Sequence, residues 1–364
     1  MIKKKKVYVI AEIGVNHNGS FKLARNMILK AKQCGADAVK FQTYKAEEVT
    51  LLNTRKAKYQ MQNSTKEQTQ FKMLKKYELS YDVFIKLKKY SKSINIDFFS
   101  TAADASSLKF LLNKLKIKTI KIASGDITNL SLLYDLGKSR KKIIISTGMS
   151  TFNDIDVALS SISHGYLQLK EKFNLKKHKN LYKKNLGYLK KNVTLMHCTT
   201  EYPAPLKELN LNAIDSIRQR YGLNVGYSDH SCNLIIPVIA VSQGVNMIEV
   251  HVTSNNNLSG PDHKSSLNYS NFKKYIDNIR AAEVSLGSNV KHITMSEKNN
   301  IKNVRKSLVF NKDLKCGQKI TYDTLVSKRA GKGISSKYFF EFIGKTVNQN
   351  VEKNLLVAKK YIKR

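Results

Sequence analysis

Three short apolar segments of the chain end in reactive side chains that lie two residues apart. The three pairs are Lys40 and Gln42, Ser228 and His230, and Glu249 and His251. Residues two apart in a β-strand share a face, so each pair would point to the same side. A buried lysine is unfavourable unless an anion or a carboxylate pairs with it. Lys40 therefore predicts an anion site or an ion pair with Glu12 or Glu249.

His230 and His251 are candidates for a shared metal site. Neighbouring strands lie ~4.8 Å apart, so imidazoles at their ends can reach one divalent ion. Two histidines with oxygen ligands and water suit Mn²⁺, Mg²⁺, Fe²⁺ or Co²⁺, and the lack of nearby cysteine argues against structural zinc. A lone buried histidine is more often a core residue, so the spacing leaves both interpretations open. The loop residues His17 and His263 are further candidates for this site.

An anion site is also predicted where the strand-like segments end. Its candidate cations and hydroxyl groups are Lys40, Lys121, Ser124, Ser146 and Ser228. Gly125 and Gly148 would let the backbone come close to a bound anion. The chain has no Walker loop and no GxGxxG motif, so no motif supports a nucleotide cofactor.

Eight short β-branched segments must position these side chains. They span 7–14, 37–43, 96–102, 119–125, 142–148, 193–200, 224–230 and 246–253. Helix-like segments lie between them, and the clearest begins at Ser20, a predicted N-cap, and ends near Gly35. Its apolar face carries Leu23, Met27, Ile28 and Ala31. Eight strands alternating with helices predict a (β/α)8 TIM barrel, in which reactive groups gather at the carboxyl ends of the strands.

The barrel is predicted to occupy residues 1–290, with a small second domain of short strands and turns over 298–364. Two connections within the barrel are longer than usual, at 44–95 and 161–192, and we interpret both as loop insertions. The second of them is Lys- and Tyr-rich.

Composition excludes several classes of protein. Hydrophobic residues make up 41% of the 364 residues, and no apolar run approaches the ~20 residues that span a bilayer. The net charge of +37 raises the possibility of a nucleic-acid partner. Lysines are spread over nearly every element, without Trp or a recognisable nucleic-acid motif, so we favour a solvated basic surface. We expect a cytoplasmic protein whose four separated cysteines are reduced and buried.

Several segments together resemble one known family. They are AEIGVNHNGS (11–20), GADAVKFQT (35–43), KIASGD (121–126), STGMS (146–150), HCTTEYPAP (197–205), GYSDH (226–230), EVHVT (249–253) and GPDHKSSL (260–267). In this order they resemble the sialic acid synthases, a family that includes N-acetylneuraminate, legionaminate and pseudaminate synthases. The segment from RKSLV (305–309) to KRAGKGIS (328–335) looks like the C-terminal SAF, or antifreeze-like, domain of these enzymes.

The resemblance implies condensation of phosphoenolpyruvate with an open-chain N-acylated hexose, such as N-acetylmannosamine or a 2,4-diacetamido-6-deoxymannose. The products would be a nine-carbon 2-keto acid and phosphate. By similarity, phosphoenolpyruvate would be held by Lys40, Thr101, Lys121, Ser124, Ser146 and Ser228. The sugar would be held by Gln42, Tyr202, Asp262 and Arg329. Glu12 is the implied catalytic residue that orients or deprotonates water, and Glu249 is the second candidate.

His230 and His251 would bind the divalent metal, for which Mn²⁺ is implied and Mg²⁺ or Co²⁺ are alternatives. Arg329 would reach the barrel of a neighbouring subunit, which implies a domain-swapped homodimer. Thr200 stands where sialate synthases often have Asn, and TTEYPAP looks closer to the legionaminate type.

Two alternatives remain at the level of sequence. Another condensing barrel, of the type that makes 3-deoxy sugar acids from phosphorylated aldoses, would need a second phosphate site and no Arg329. A non-enzymatic polyanion-binding protein would bind nucleic acid with steep salt dependence.

Overall fold

The computed structural model describes residues 6–57, 60–61 and 69–363. Eight parallel strands follow one another around a closed barrel, and β1 pairs with β8 to complete it. The strands are β1 Tyr8–Gly14, β2 Ala38–Thr43, β3 Asp97–Ala102, β4 Thr119–Ile122, β5 Lys142–Ser146, β6 Val193–Cys198, β7 Asn224–Asp229 and β8 Met247–Thr253. The predicted (β/α)8 barrel is confirmed.

Helices connect the strands. Those of the barrel are α1 Phe21–Cys34, α2 Ala46–Val49, α3 Gln70–Tyr77, α4 Tyr81–Ser93, α5 Ala105–Lys109, α6 Leu130–Ser139, α7 Phe152–Leu167, α8 Leu175–His178, α9 Leu186–Asn192, α10 Ala213–Tyr221, α11 Ile236–Ser242 and α12 Tyr269–Ser285. Within the described residues, no helix is both long enough and apolar enough to cross a membrane.

Helix α1 begins and ends where its predicted capping residues, Ser20 and Gly35, lie. The Ser20 hydroxyl accepts a hydrogen bond from the Leu23 backbone N–H, which satisfies a donor that the first turn leaves unpaired. Gly35 ends the helix in the left-handed conformation with φ 99°, where a residue without Cβ is favoured. Between these caps, Met27, Ile28 and Ala31 are fully buried against the barrel.

Strand register brings the predicted site residues to one end of the barrel. Glu12 of β1 lies opposite Lys40 of β2 and opposite His251 of β8. Thr101 lies opposite Lys121, and Ser228 lies opposite Glu249. Parallel pairing therefore places Glu12, Lys40 and His251 side by side, and Glu249 lies two residues before His251 on β8.

Some details differ from the sequence prediction. The fourth segment stops being a strand at Ile122, and Ser124 instead begins the 3₁₀ turn Ser124–Asp126. The connection 161–192 is helical, since α7 runs on to Leu167 and is followed by α8, the 3₁₀ turn Leu181–Asn185 and α9. The expectation that the cysteines are all buried is wrong, because Cys316 is exposed and Cys232 is only partly buried.

The described residues form two compact units, one up to Gly287 and the other from Ser288 onwards. The second unit holds helix α13 Met295–Val304, the antiparallel strands β10 Lys306–Phe310 and β11 Leu325–Arg329, and the short helix α14 Phe339–Phe342. Strand β9 Leu267–Asn268 belongs to the barrel unit, beside β8. A separate core in the second unit contains Leu308, Phe310, Ile320, Leu325, Val347 and Val357.

Helices α6 and α7 pack closely against each other at Gly165, so a larger residue there should lower the stability of the protein. A Cβ on Gly165 would lie 2.0 Å from the backbone oxygen of Tyr134. Because backbone cannot move aside as a flexible side chain does, Gly165→Ala should lower the free energy of unfolding by about 1–3 kcal/mol. Urea denaturation measures this change.

The matched control is Gly187→Ala on α9, where a Cβ would meet no described atom within 4 Å. Alanine favours a helix over glycine by up to ~1 kcal/mol, so this variant should be neutral or slightly stabilised. Equal stability of the two variants would contradict the close approach of α6 and α7.

Candidate functional site

A cavity of about 250 Å³ opens at the carboxyl ends of the barrel strands. Most of the barrel residues that the sequence predicts for the site line it, namely Glu12, Lys40, Gln42, Thr101, Lys121, Ser124, Ser146, Tyr202, Ser228, His230, Glu249, His251 and Asp262. The position is the one where TIM-barrel enzymes carry out their chemistry.

The floor of the cavity is a buried cluster of two lysines and two glutamates. Lys40 Nζ lies 2.9 Å from Glu12 Oε2 and 3.6 Å from Glu249 Oε1. Lys121 Nζ donates to both oxygens of Glu249, at 3.0 and 3.1 Å. Lys40 therefore forms the predicted ion pair with Glu12 and also lies near Glu249. All three residues line the cavity.

The two glutamates have opposite pKa shifts. Burial raises the pKa of Glu12, and the charge of Glu249 raises it further, against the opposing effect of Lys40. Burial also acts on Glu249, but Lys121 and Lys40 outweigh it and lower the pKa of this carboxyl to about 2. Glu249 is thus a fixed counter-ion of the lysines, whereas Glu12 is the better proton acceptor.

Hydroxyl groups surround the lysines. Lys40 Nζ donates to Thr101 Oγ1 at 3.1 Å, and Ser228 Oγ donates to Glu249 Oε1 at 3.2 Å. Ser124 Oγ accepts from the backbone N–H of Gly148 at 3.1 Å. Gly148 is required by this packing, because a Cβ there would lie 2.1 Å from Thr200 Oγ1 and 2.8 Å from Ser124 Oγ.

The two histidines stand beside this cluster with ring centroids 5.5 Å apart. His230 Nδ1 lies 2.7 Å from the backbone oxygen of Thr199, so Nδ1 must donate and Nε2 keeps its lone pair. His251 Nδ1 is buried and has no hydrogen-bond partner among the described residues. Burial lowers the pKa of His230 to about 4 and that of His251 well below its usual value. Two neutral imidazoles with available lone pairs fit a divalent metal ion.

Three further polar side chains of the cavity contact Glu12 and the two histidines. Gln42 Nε2 donates to Glu12 Oε1 at 3.2 Å, and the Tyr202 ring packs 4.3 Å from the His230 ring. Asp262 Oδ2 lies 3.7 Å from His251 Nδ1. Burial, and then the charge of Glu12, raise the pKa of Asp262 to about 7.

Three predicted residues lie elsewhere. Arg329 is in the second unit, exposed at the end of β11. His17 and His263 do not line the cavity. His263 instead links Thr253 Oγ1 at 2.7 Å to Asn18 Oδ1 at 3.1 Å, which ties the β1 and β8 loops together. His17 Nδ1 accepts a hydrogen bond from the Gly19 backbone N–H at 3.0 Å, within its own loop.

Sequence reasoning missed several lining residues. Asp126 follows the fourth strand within the quoted segment KIASGD and lines the cavity, and burial raises its pKa to about 6. Its position after a strand end was the available signal. Val49, Met73 and Leu74 also line the cavity, but they come from the long connection after β2, and no local signal pointed to them.

The fold and the cavity define a TIM-barrel enzyme with a buried charged site. A family model described as the NeuB family matches residues 27–291. The N,N'-diacetyllegionaminic acid synthase of Campylobacter jejuni is 41% identical to this chain and covers 97% of it and 99% of its own length. The N,N'-diacetyllegionaminic acid synthase of Legionella pneumophila is 36% identical, over 94% of this chain and 91% of its own.

Among solved structures, an N-acetylneuraminic acid synthetase from Leptospira borgpetersenii, in complex with citrate, is similar with a TM-score of 0.65. It is 29% identical and covers 82% of this chain and 91% of its own. The chain therefore belongs to the NeuB family of sialic acid synthases.

Proposed function

We propose that this protein condenses phosphoenolpyruvate with an N-acylated hexose and water, giving a nonulosonic acid and phosphate. The observation that carries the proposal is the meeting of Lys40, Lys121 and two neutral histidines in one cavity. The names of the relatives favour this reaction over that of a 3-deoxy sugar acid synthase.

Phosphoenolpyruvate needs a site for a phosphate and a carboxylate. Lys40 and Lys121 supply buried ammonium groups, while Thr101, Ser124, Ser146 and Ser228 supply hydroxyl donors around them. Charged hydrogen bonds in a buried site are stronger than those at the surface, which favours a tightly held anion. The counter-ion Glu249 keeps both lysines in place before the substrate arrives.

The reaction forms one carbon–carbon bond and breaks one carbon–oxygen bond. C3 of phosphoenolpyruvate attacks the aldehyde carbon, and the carbonyl electron pair moves to the aldehyde oxygen. Water adds at C2, and the resulting tetrahedral centre expels phosphate with the electrons of the C2–O bond. Loss of the remaining hydroxyl proton leaves the 2-keto acid.

Glu12 is the residue that we assign to the proton transfer from water. Its raised pKa makes it a stronger base than Glu249. The Gln42 amide fixes one carboxylate oxygen, and Lys40 contacts the other. The proton taken from water can pass from Glu12 to the oxygen of the former aldehyde, so the charges balance over the cycle.

His230 and His251 would hold a divalent metal ion, for which we expect Mn²⁺, with Mg²⁺ or Co²⁺ as alternatives. Among the described residues, no group of three or more His, Cys, Asp or Glu is arranged to hold a metal. The remaining ligands would then be substrate or water. A bound ion would act as a Lewis acid on the aldehyde.

The direct test incubates the protein and Mn²⁺ with phosphoenolpyruvate and each of three sugars. These are N-acetylmannosamine, the 2,4-diacetamido-6-deoxymannose and its altro isomer. Phosphate release together with a product of the mass of a nonulosonic acid is expected for at least one sugar. Release of phosphate without sugar, or no reaction with any of them, would refute the proposal.

Lys121→Met tests the phosphoenolpyruvate site. Loss of one charged hydrogen bond, at about 1.5–3 kcal/mol, should raise the KM for phosphoenolpyruvate by about 10- to 150-fold. Because the variant removes the bidentate partner of the buried Glu249, Lys121→Met combined with Glu249→Gln separates binding from misfolding. A KM unchanged in both variants would place the phosphate elsewhere.

We also propose that the second unit is a SAF domain whose Arg329 reaches the barrel of a second subunit. Arg329→Ala should then raise the KM for the sugar by about 10-fold or more, with little change in the KM for phosphoenolpyruvate. Lys328→Ala, at a neighbouring exposed position, is the control. A wholly monomeric enzyme in analytical ultracentrifugation, or an unchanged sugar KM, would contradict this arrangement.

A further inference from the structure

Asp229 is a buried carboxylate next to the candidate metal ligand His230, on the outer side of the barrel wall. It is the last residue of β7 and lies between Ser228 and His230, which both line the cavity. Successive side chains of a strand point to opposite faces, so Asp229 points outwards, to the layer of helices. It is 1% exposed. Burial of a carboxylate is unfavourable unless hydrogen bonds satisfy it, so its partners indicate what it holds in place.

Three hydrogen bonds reach this carboxylate from two directions. Tyr275 of α12 donates its hydroxyl to Asp229 Oδ2 at 2.8 Å. The backbone N–H and the hydroxyl of Ser231 both donate to Asp229 Oδ1, at 2.8 and 2.6 Å. Tyr227, two residues earlier on the same face of β7, has its hydroxyl close to Asp229 without a hydrogen bond of standard geometry. Asp229 thus links helix α12 to the residue that follows His230.

Helix α12 contacts the loop after β7 at a second point. Asn278 lies one turn beyond Tyr275, and its amide donates to the backbone oxygen of Leu234 at 2.9 Å. Residues three apart on a helix share a face, so Tyr275 and Asn278 present one surface to this loop. The chain is therefore tied to α12 both before and after His230.

The position of His230 matters because it must share an ion with His251, and metal ligands need to be placed to within about 0.5 Å. The hydrogen bond from His230 Nδ1 to the backbone oxygen of Thr199 sets the tautomer and the rotation of the ring. The backbone oxygen of His230 accepts from the Ala204 N–H at 2.9 Å. On the side of the helices, the backbone next to His230 is held through Asp229.

We infer that Asp229 and Tyr275 are positioning residues for His230, because their hydrogen bond behind β7 fixes the strand end from which the imidazole enters the cavity. The inference rests on the proposed metal role of His230 and adds two residues that contact neither substrate nor ion. It requires the affinity for the ion to depend on a hydroxyl group in the layer of helices. Loss of a group that directly contacts a metal ligand weakens binding by about 10- to 100-fold. Tyr275 acts through Asp229, so its effect should be smaller.

Tyr275→Phe tests the inference because it removes only the hydroxyl. Calorimetry with Mn²⁺ should show binding weakened by about 3- to 10-fold relative to the native protein. The Mn²⁺ concentration that gives half of the full activity should rise by the same factor, whereas kcat at saturating Mn²⁺ should be close to native. Ser231→Ala, at a partly buried loop position, removes a different hydrogen bond to Asp229 and should also weaken Mn²⁺ binding.

Tyr221→Phe is the matched control. Tyr221 of α10 donates to Asp156 of α7 at 2.8 Å, so this variant also loses a buried hydrogen bond between tyrosine and aspartate. Neither residue is part of the described lining of the cavity. The control should lose stability in urea as Tyr275→Phe does, but it should bind Mn²⁺ as the native protein does. If Tyr275→Phe is not folded in the absence of urea, Ser231→Ala takes its place in the comparison.

The outcomes separate this inference from the proposed function. Weaker Mn²⁺ binding in the variant of the Asp229 cluster than in Tyr221→Phe supports the inference. Native affinity in that variant, or equal weakening in Tyr221→Phe, overturns it and leaves the metal role of His230 standing. No binding of Mn²⁺ by the native protein overturns the inference together with the metal role. Phosphate release with an accepted sugar is measured separately and tests the condensation alone.

Discussion

Glu12→Gln is expected to lower kcat by about 10²- to 10⁴-fold, the usual contribution of a general base. Glutamine keeps the size of the side chain and an oxygen for the Gln42 amide, which donates to Glu12 Oε1 at 3.2 Å. It removes the site at which the proton of the attacking water would be held. Steady-state phosphate release measures kcat, and equilibrium binding measures the affinity for phosphoenolpyruvate, which should change only a few-fold.

Glu249→Gln is the comparison that separates phosphoenolpyruvate binding from proton transfer. Glu249 is the bidentate partner of Lys121 and also lies near Lys40, so its loss should disturb phosphoenolpyruvate binding and stability more than the proton transfer. Its effect should therefore appear in KM and in the unfolding curve. If Glu12→Gln kept most of the native kcat while Glu249→Gln lost it, the two roles would have to be exchanged.

Removal of divalent metal is the second change with a large expected effect. Treatment with EDTA should reduce turnover to background, and Mn²⁺ should restore it. The reason is that His230 and His251 present lone pairs in the cavity, and burial lowers the pKa of both imidazoles although Asp262 lies 3.7 Å from His251 Nδ1. Full activity in the chelator would remove the metal role of both histidines.

Binding of Mn²⁺, measured by calorimetry, locates the ion independently of activity. His230→Ala should weaken this binding by about 10-fold or more, as expected when one ligand is lost. His292→Ala, at an exposed histidine that makes a hydrogen bond only with the nearby Val290 backbone among the described contacts, should bind as the native protein does. Equal binding by all three proteins would place the ion outside the cavity.

The sequence predicted the barrel because strand and helix periodicity are local properties. Caps such as Ser20 and Gly35 depend on adjacent residues, and strand ends are marked by a change from apolar to reactive side chains. Once the strands are in barrel order, parallel pairing requires that Glu12, Lys40 and His251 meet. The candidate site therefore followed from topology and from the resemblance together.

What the sequence did not predict depends on long-range packing. The bidentate pairing of Lys121 with Glu249 joins strands that are not neighbours, across the interior of the barrel. The place of Met73 and Leu74 at the mouth depends on how the long connection after β2 folds back. Tertiary contacts also decide that His263 ties two loops together instead of lining the cavity.

In the proposed reaction, phosphate leaves by cleavage of the carbon–oxygen bond at C2. Phosphoenolpyruvate labelled with ¹⁸O at the bridging oxygen tests it in one turnover experiment with an accepted sugar. Mass spectrometry should find the ¹⁸O label in the released phosphate and no ¹⁸O label in the nonulosonic acid. Unlabelled phosphate would mean that the phosphorus–oxygen bond breaks, and the assigned attack of water at C2 would be wrong.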